Sequence, residues 1–343
     1  MTSKITPARD TTIDTVKFML IFGIYIFHFG TDAGGWYGFF GQFHVPAFFM
    51  ISGFWAMKKL DRSIWDYVKN AFNKYLLLWL LWVCVYPVLY MITGGYGVKT
   101  GLLLVKKFFF AVRASGIAGM WFVPAFFLVG FCYFLVAKLL RKIPKLNETK
   151  QALLHLCIAL IVTVIFHLTF HLEKSWLFSI DQVPLHWFYY ALGRVVFIGF
   201  QWIKTKPKTI RYTIFIISAV ISISYMVMMY FDPNHRLWGI VSEKLPLLPE
   251  VIGVAMALCG LFWIARIIRC KFLAYIGQAT LGLCLCEIAV KMPIKYGFEL
   301  LGWTFFSPWI AILCSAIALL IGCFVVMPPI NLVLKIIKKP IFK

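Results

Sequence analysis

The stretch IDTVKFMLIFGIYIFHFG, residues 13–30, is apolar over most of its length yet carries three ionisable side chains. As a helix it is long enough to cross a bilayer. An ionisable side chain at membrane depth is costly unless it faces protein or water, so such residues usually have a function. Asp14, Lys17 and His28 therefore mark this segment as the first place to look for one.

Lys17 and His28 share one face of this predicted helix. Their separation of eleven residues leaves them about 20° apart around the axis and ~16 Å apart along it. Asp14 lies one turn before Lys17 and is expected to pair with it. The pattern predicts a polar stripe that runs from the membrane surface to a histidine deep inside. The alternative is a structural ion pair plus an unrelated histidine that bonds to a neighbouring helix.

The rest of the chain has the same apolar character. Its mean hydropathy is +0.86 and 62% of its 343 residues are hydrophobic, against about 45–50% in soluble domains. Apolar runs of about 20 residues recur from end to end, which predicts one all-α integral membrane domain over residues 1–343, a bundle of about ten transmembrane helices. The predicted spans are 13–30, 36–57, 75–93, 120–140, 151–171, 185–203, 209–231, 247–265, 274–291 and 305–334.

The net charge of +21 sits mainly in the short connections between these spans. A nucleic-acid partner is therefore not expected, and membrane lipids are the natural contact. Most Lys and Arg residues fall on the side that holds the N-terminus, so the positive-inside rule predicts that both termini are cytoplasmic in a multi-pass protein of the cell membrane. The basic, amphipathic segment 58–74 is predicted to lie as a helix in the interface, and segment 94–119 to be re-entrant or interfacial.

Cysteine and histidine spacing gives no sign of a metal. The nine cysteines lie almost entirely in or beside apolar runs without a CxxC pair, so neither a disulfide framework nor a zinc site is expected. Five histidines have no partner at metal-ligand spacing and receive no role. These are His155, His167, His171, His186 and His235.

The second predicted span contains FHVPAFFMISGF, residues 43–54. His44 is another imidazole inside an apolar run, a short TDAGG turn away from the outer end of the first span. Two imidazoles near one depth form a proton-handling pair, and the alternative is that His44 simply bonds to a backbone carbonyl. Ser52 and Gly53 favour close approach of a neighbouring helix.

Taken together, these motifs resemble the acyltransferase 3 family of membrane acyltransferases. Lys17 and His28 fit that family's pattern of a basic residue, ten residues and a histidine, and residues 48–53 fit its FFxxSG motif. FHVPAFF is similar to the FHMPLFF of a sugar O-acetylase branch. WFVPA, residues 121–125, is similar to that branch's WFLPA-type stretch.

Near the C-terminus the chain departs from the family pattern. YIGQATLGLCLCE, residues 275–287, is similar to the family's IGxxSxxIYLxH stretch but ends in Glu287 where His is common. Two interpretations of Glu287 stay open. It bonds to His28 or to the acceptor, or it pairs with Lys291 one turn on.

The resemblance implies an O-acetyltransferase that moves an acyl group, usually acetyl, from cytoplasmic acyl-CoA to a hydroxyl of a cell-surface or exported polysaccharide. Acyl-CoA is then a co-substrate, and no tightly bound cofactor is expected. His28, with His44 nearby, is the expected catalytic centre, as general base on the acceptor hydroxyl or as carrier of the acyl group. The side chains expected along the acyl-CoA path are Lys17, Asp14, Lys69 and Lys74.

Supporting roles follow from the same implied chemistry. The tetrahedral oxyanion needs hydrogen-bond donors. The side chains expected to supply them are Ser52, Trp121 and His44. Arg194, the other intramembrane cation, either lines the same cavity or pairs with an acid such as Glu250 or Glu287.

Two other classes of function compete with this interpretation. A transporter or flippase for a glycan or lipid intermediate would use the buried charges to line a permeation path. A non-catalytic partner in a polysaccharide export complex would need none of them. Neither alternative accounts for FFxxSG next to the Lys17–His28 helix, so the motifs favour the acyltransferase.

Overall fold

The computed structural model describes residues 11–94, 98–111, 118–170, 176–231, 247–302 and 307–341. Within these ranges the regular structure is entirely helical, which confirms the predicted all-α class. Helices α1 to α15 run, in chain order, over Thr11–Phe27, Gly35–Gly41, His44–Gly53, Ile64–Ala71, Leu77–Gly94, Val98–Phe110, Phe122–Leu140, Glu148–Thr169, Val183–Lys204, Lys208–Phe231, Leu247–Ile268, Lys271–Gln278, Thr280–Leu300, Pro308–Ile321 and Met327–Ile341.

Six helical stretches in the described part are long and apolar enough to cross a membrane. They are Ile64–Ile92, Gly119–Leu140, Glu148–Thr169, Lys208–Phe231, Glu250–Ile268 and Pro308–Lys338. Each overlaps one of the predicted spans, and Ile64–Ile92 also includes much of the segment 58–74 that is predicted to lie in the interface. Helices α12 and α13, bent by 80° at a short break, would together make a seventh. The chain is thus a multi-pass helical membrane protein, while the count of ten spans and the cytoplasmic termini stay predictions.

The other predicted spans fall on shorter or more polar helices. Span 13–30 coincides with α1, which has 17 residues. Span 36–57 is broken into α2 and α3, and Pro46 lies in the first turn of α3, where a proline without its N–H is tolerated. Span 185–203 coincides with α9, whose apolar face is interrupted by Arg194.

The basic segment 58–74 does contain a helix. The Ser63 side chain accepts a hydrogen bond from the backbone N–H of Asp66 at 3.0 Å, which caps the start of α4. A π-helical turn, Phe72–Leu76, then joins α4 directly to α5. In segment 94–119, helix α6 packs against α5, and residues 95–97 and 112–117 lie outside the described ranges.

Glycines bring the central helices into backbone contact. A Cβ atom at Gly53, the glycine of FFxxSG, would overlap the carbonyl oxygen of Tyr190 on α9, and one at Gly193 would overlap the backbone of α3. A Cβ at Gly277 on α12 would likewise overlap the carbonyl oxygen of Asp14 on α1. Small residues at such crossings allow the helices to approach closely, and these crossings hold the helices that carry the polar residues.

Candidate active site

The candidate catalytic centre lies where the end of α1 meets α13. His28 directly follows α1, and its backbone N–H still bonds to the carbonyl oxygen of Ile24 at 3.0 Å. Its ring atom Nδ1 lies 2.8 Å from each carboxylate oxygen of Glu287, a residue of α13 that is only 2% exposed. The first and the last motif of the sequence therefore meet in one hydrogen-bonded pair.

Lys291, one turn after Glu287, completes this group. Its Nζ lies 3.3 Å from Oε1 of Glu287 and donates to the backbone carbonyl of Tyr25 at 2.8 Å. The last carbonyl groups of a helix lack partners within the helix and carry partial negative charge, so a lysine is favourable there. Lys291 thus holds the end of α1 against α13. Both pairings considered for Glu287 are present in the structure.

The arrangement fixes how His28 can react. Ion pairs and hydrogen bonds stabilise a buried carboxylate, and Glu287, which is almost fully buried, has both His28 and Lys291 as partners. Because the Nδ1–H group of His28 donates to the carboxylate, the neutral ring carries its lone pair on Nε2. An imidazole held in this way by a carboxylate is suited to general-base or nucleophilic catalysis at Nε2.

His28 faces a cavity of about 650 Å³. Its side chain is 33% exposed, in contrast to the buried Glu287 behind it. A volume of this size is within the range of small-molecule sites, ~300–1,000 Å³. Polar and sulfur-bearing side chains on the wall are Gln42, His44, Trp121, Gln182, His186, Glu250 and Cys284.

His44 lines the same cavity as His28. Its Nδ1–H group donates to the backbone carbonyl of Phe40, which is the alternative that the sequence left open. The ring of Phe27 contacts both imidazoles, with centroid distances of 5.5 Å to His28 and 4.8 Å to His44. His44 therefore has both features: it is hydrogen-bonded to a backbone carbonyl, and it lies close to His28 in the cavity.

His186 is a third imidazole on the cavity wall, and sequence reasoning gave it no role. It lies on α9, is 3% exposed, and stacks on Phe49 of the FFxxSG motif with a centroid distance of 4.3 Å. The ring of Trp121 also stacks with His186, at a centroid distance of 6.1 Å. The motif thus shapes the cavity through its second Phe. No spacing signal could have revealed this, because the three rings come from separate helices.

Two expected site residues lie elsewhere. The Ser52 hydroxyl donates to the carbonyl of Phe48 on its own helix at 2.8 Å, as serines within helices do, and Ser52 does not line the cavity. Arg194 pairs with Glu148 at the start of α8 and donates to the carbonyl of Phe54 at 3.0 Å.

Arg194 therefore pairs with an acid, which is one of the two alternatives that the sequence left open, but the acid is Glu148 and not Glu250 or Glu287. The physical reason is its position. Arg194 lies level with the end of α3 and the start of α8, where a helix-end carbonyl and an acidic side chain are in reach, and it does not line the cavity.

At the other end of α1 the expected ion pair is present. Nζ of Lys17 lies 3.4 Å from Oδ1 of Asp14, and Asp14 is buried whereas the Lys17 side chain is 27% exposed. The lysine also lies 5.7 Å from the ring centre of Trp55. Lys69 and Lys74 are exposed on α4 and on the π-helical turn that follows it.

The cavity does not extend to this ion pair. Leu20 and Ile21, one turn beyond Lys17 on the same helix face, are fully buried, and Ile24 above them lines the cavity. Lys17 and His28 thus share a helix face, as their spacing predicts, without sharing a cavity in this structure.

These features define a multi-pass helical membrane protein with a candidate acid–base site inside its bundle. Residues 10–327 match the family model of the acyltransferase 3 family, described as an acyltransferase domain. The chain belongs to this family and is a membrane acyltransferase, which confirms the resemblance seen in its motifs. No curated protein and no solved structure matches the chain.

Proposed function

We propose that this acyltransferase moves an acyl group, acetyl in the first instance, from cytoplasmic acyl-CoA to a hydroxyl of a cell-surface or exported glycan. Family membership supports acyl transfer. One observation supports a hydroxyl acceptor. The imidazole of His28 faces the cavity while its Nδ1 lies 2.8 Å from both oxygens of Glu287. A hydroxyl needs such a base, because it is a weak nucleophile at neutral pH.

In the proposed reaction, Nε2 of His28 takes the proton of the acceptor hydroxyl as its oxygen attacks the thioester carbonyl. Glu287 stabilises the imidazolium that forms. Collapse of the tetrahedral intermediate releases the coenzyme thiolate, and Nε2 returns the proton to that sulfur. The alternative is that Nε2 itself accepts the acyl group and then passes it to the hydroxyl, so Nε2 is the reacting atom in both routes.

The donor is proposed to bind on the side of α1 that carries the lysines. Lys17, oriented by Asp14, and the exposed Lys69 and Lys74 would hold the phosphates of the coenzyme as point charges. Since Leu20 and Ile21 fill the helix face between Lys17 and His28, these two side chains must move aside for the thioester to reach the imidazole.

The oxyanion also needs a donor. Of the three side chains considered, Ser52 donates to its own helix and His44 donates to Phe40. Trp121 lies on the cavity wall and is the proposed donor.

The decisive experiment follows the acyl group. Membranes are incubated with acetyl-CoA labelled in the acetyl group, and label is measured on the extracted surface glycan. We expect label with the wild-type protein and none above background with His28→Ala. His167→Ala is the matched control, since His167 lies exposed on α8. Equal labelling by His28→Ala would reject His28 as the reacting centre. Absence of label in all variants, with glycan export lost on deletion, would instead favour the transporter.

A further inference from the structure

The cavity has a charge character unlike that of the whole protein. The chain carries a net charge of +21. Among the described residues that line the cavity, however, none is Lys or Arg. The ionisable groups there are a thiol, three imidazoles and one carboxyl group. They belong to Cys284, His28, His44, His186 and Glu250.

Glu250 lies at the start of α11, on a part of the wall formed together with Gly253 one turn later. The hydroxyl of Tyr189, a fully buried residue of α9, lies close to its carboxyl group. In the described part of the chain no lysine or arginine forms an ion pair with Glu250. Glu287 differs in this respect, because Lys291 lies 3.3 Å from its carboxylate behind His28.

This lining is unsuited to an anionic ligand. A carboxylate or phosphate in the cavity would meet the half-buried carboxylate of Glu250, and none of the described residues on the wall is a cation that would offset the repulsion. A sugar hydroxyl, in contrast, can donate a hydrogen bond to that carboxylate, and such charge-assisted bonds are strong. The basic residues expected to hold the phosphates of acyl-CoA lie outside the cavity, so only the acyl end of the donor needs to enter.

We propose, on the basis of the proposed function, that the acceptor is a glycan whose reacting sugar bears no negative charge, and that Glu250 sets this preference. Glu250 binds a hydroxyl of the neutral sugar and repels a uronate or a phosphorylated sugar. Glu250 thus determines which acceptor binds in the cavity, while His28 performs the chemistry.

The test uses the full chain in proteoliposomes with labelled acetyl-CoA and matched acceptor pairs. Methyl glucoside is compared with methyl glucuronide, and methyl galactoside with methyl galacturonide. In each pair the two sugars differ at the carboxylate on C6. We expect wild type to use the neutral member with a kcat/KM about tenfold higher, which corresponds to ~1.4 kcal/mol. In Glu250→Gln, which keeps the size and removes the charge, we expect the ratio to fall to about one.

Two further variants serve as controls for the role of the Glu250 charge. Glu250→Asp keeps the charge and should keep the preference for neutral sugars. Asp61→Asn removes a carboxylate that pairs with Arg141 at the surface and should also leave the preference intact. Equal use of both sugars by wild type, an unchanged ratio in Glu250→Gln, or a lost ratio in Glu250→Asp would overturn the proposal.

The two proposals fail in different ways. Label on the native glycan without discrimination between the sugar pairs would overturn the charge preference alone. If wild type labels neither the native glycan nor any added sugar, the proposed function fails, and the acceptor preference fails with it.

Discussion

Helices α8 and α10 differ from helices α1 and α9 in how much of their surface is buried inside the protein. Only 22% of the most apolar window of α8 is buried inside the protein, and only 17% of that of α10. On α9, nearly every residue between Val183 and Arg194 is buried, and on α1 one face, which includes Leu20, Ile21 and Tyr25, is fully buried. The first pair forms a lipid-facing layer, and the second pair, with α3 and α13, forms the centre of the bundle.

This difference explains which spans the sequence revealed most clearly. The outer helices expose mainly apolar side chains, because lipid does not satisfy exposed polar groups, and their hydropathy is high. The central helices carry polar residues, glycines and breaks, and each of these features weakens the apolar signal. Helices α1, α3 and α9 are absent from the set of long apolar helices, and α13 enters it only together with α12. The helices that carry the candidate site are thus shorter or more polar than the outer ones, since α1 has 17 residues, α3 has 10 and α9 carries Arg194.

The largest expected effect contrasts a histidine in each layer. His28→Ala should abolish acetyl transfer, and Glu287→Gln should lower kcat/KM by about a hundredfold or more, because general acid–base catalysis contributes about 10²–10⁴-fold. His167→Ala on α8 should leave the rate unchanged. Transfer of labelled acetyl groups to glycan measures all three. A Glu287→Gln rate close to that of wild type would show that the carboxylate does not orient the imidazole.

A second contrast lies within one helix. Gly193→Ala should destabilise the protein by about 1–3 kcal/mol, since its Cβ would overlap the carbonyl of Met50 and force α3 and α9 apart. Gly199→Ala, six residues further along α9, meets nothing within 4 Å and should be neutral or slightly stabilising. Thermal unfolding in detergent measures both. Equal stability of the two variants would refute the close crossing of α3 and α9.

The third prediction concerns the contact between α1 and α13. Lys291→Met removes the donor to the carbonyl of Tyr25 and one partner of the buried Glu287. We expect kcat to fall about tenfold while KM for acetyl-CoA changes little, because ground-state donor binding does not involve this contact.

A double mutant provides the control for Lys291→Met. Combined with Glu287→Gln, the Lys291→Met change should cost much less than it does alone, since residues of one ion-pair network are not additive. Full additivity of the two changes would show that Lys291 acts independently of the carboxylate.

Much of the fold and part of the site could be predicted from the sequence, and the division has a physical basis. Continuous apolar runs predict helical spans, and spacing along one helix predicts the Asp14–Lys17 pair and the face shared with His28. Contacts between distant segments leave no such signal. Glu287 lies 259 residues from His28, so it could be named only as an option through the family pattern.

The errors have the same origin. The sequence does not indicate Glu148 as the partner of Arg194, because Glu148 precedes the predicted span 151–171, whereas in the structure α8 begins at Glu148. His186 received no role because its stacking on Phe49 and Trp121 depends on how three helices meet. Both arrangements depend on packing between helices, and such packing produces no repeating pattern in the sequence.

The smallest expected effect tests whether the two ends of α1 have separate roles. Lys17→Ala should raise KM for acetyl-CoA about fivefold and leave kcat nearly unchanged, because Lys17 lies outside the cavity and contributes uniform binding of the donor. Lys208→Ala, at the exposed start of α10, is the matched control and should leave KM unaltered. A fall in kcat with unchanged KM would contradict this and show that Lys17 acts in the chemical step. Leu20 and Ile21 would then have to move aside so that Lys17 could contact the reacting group.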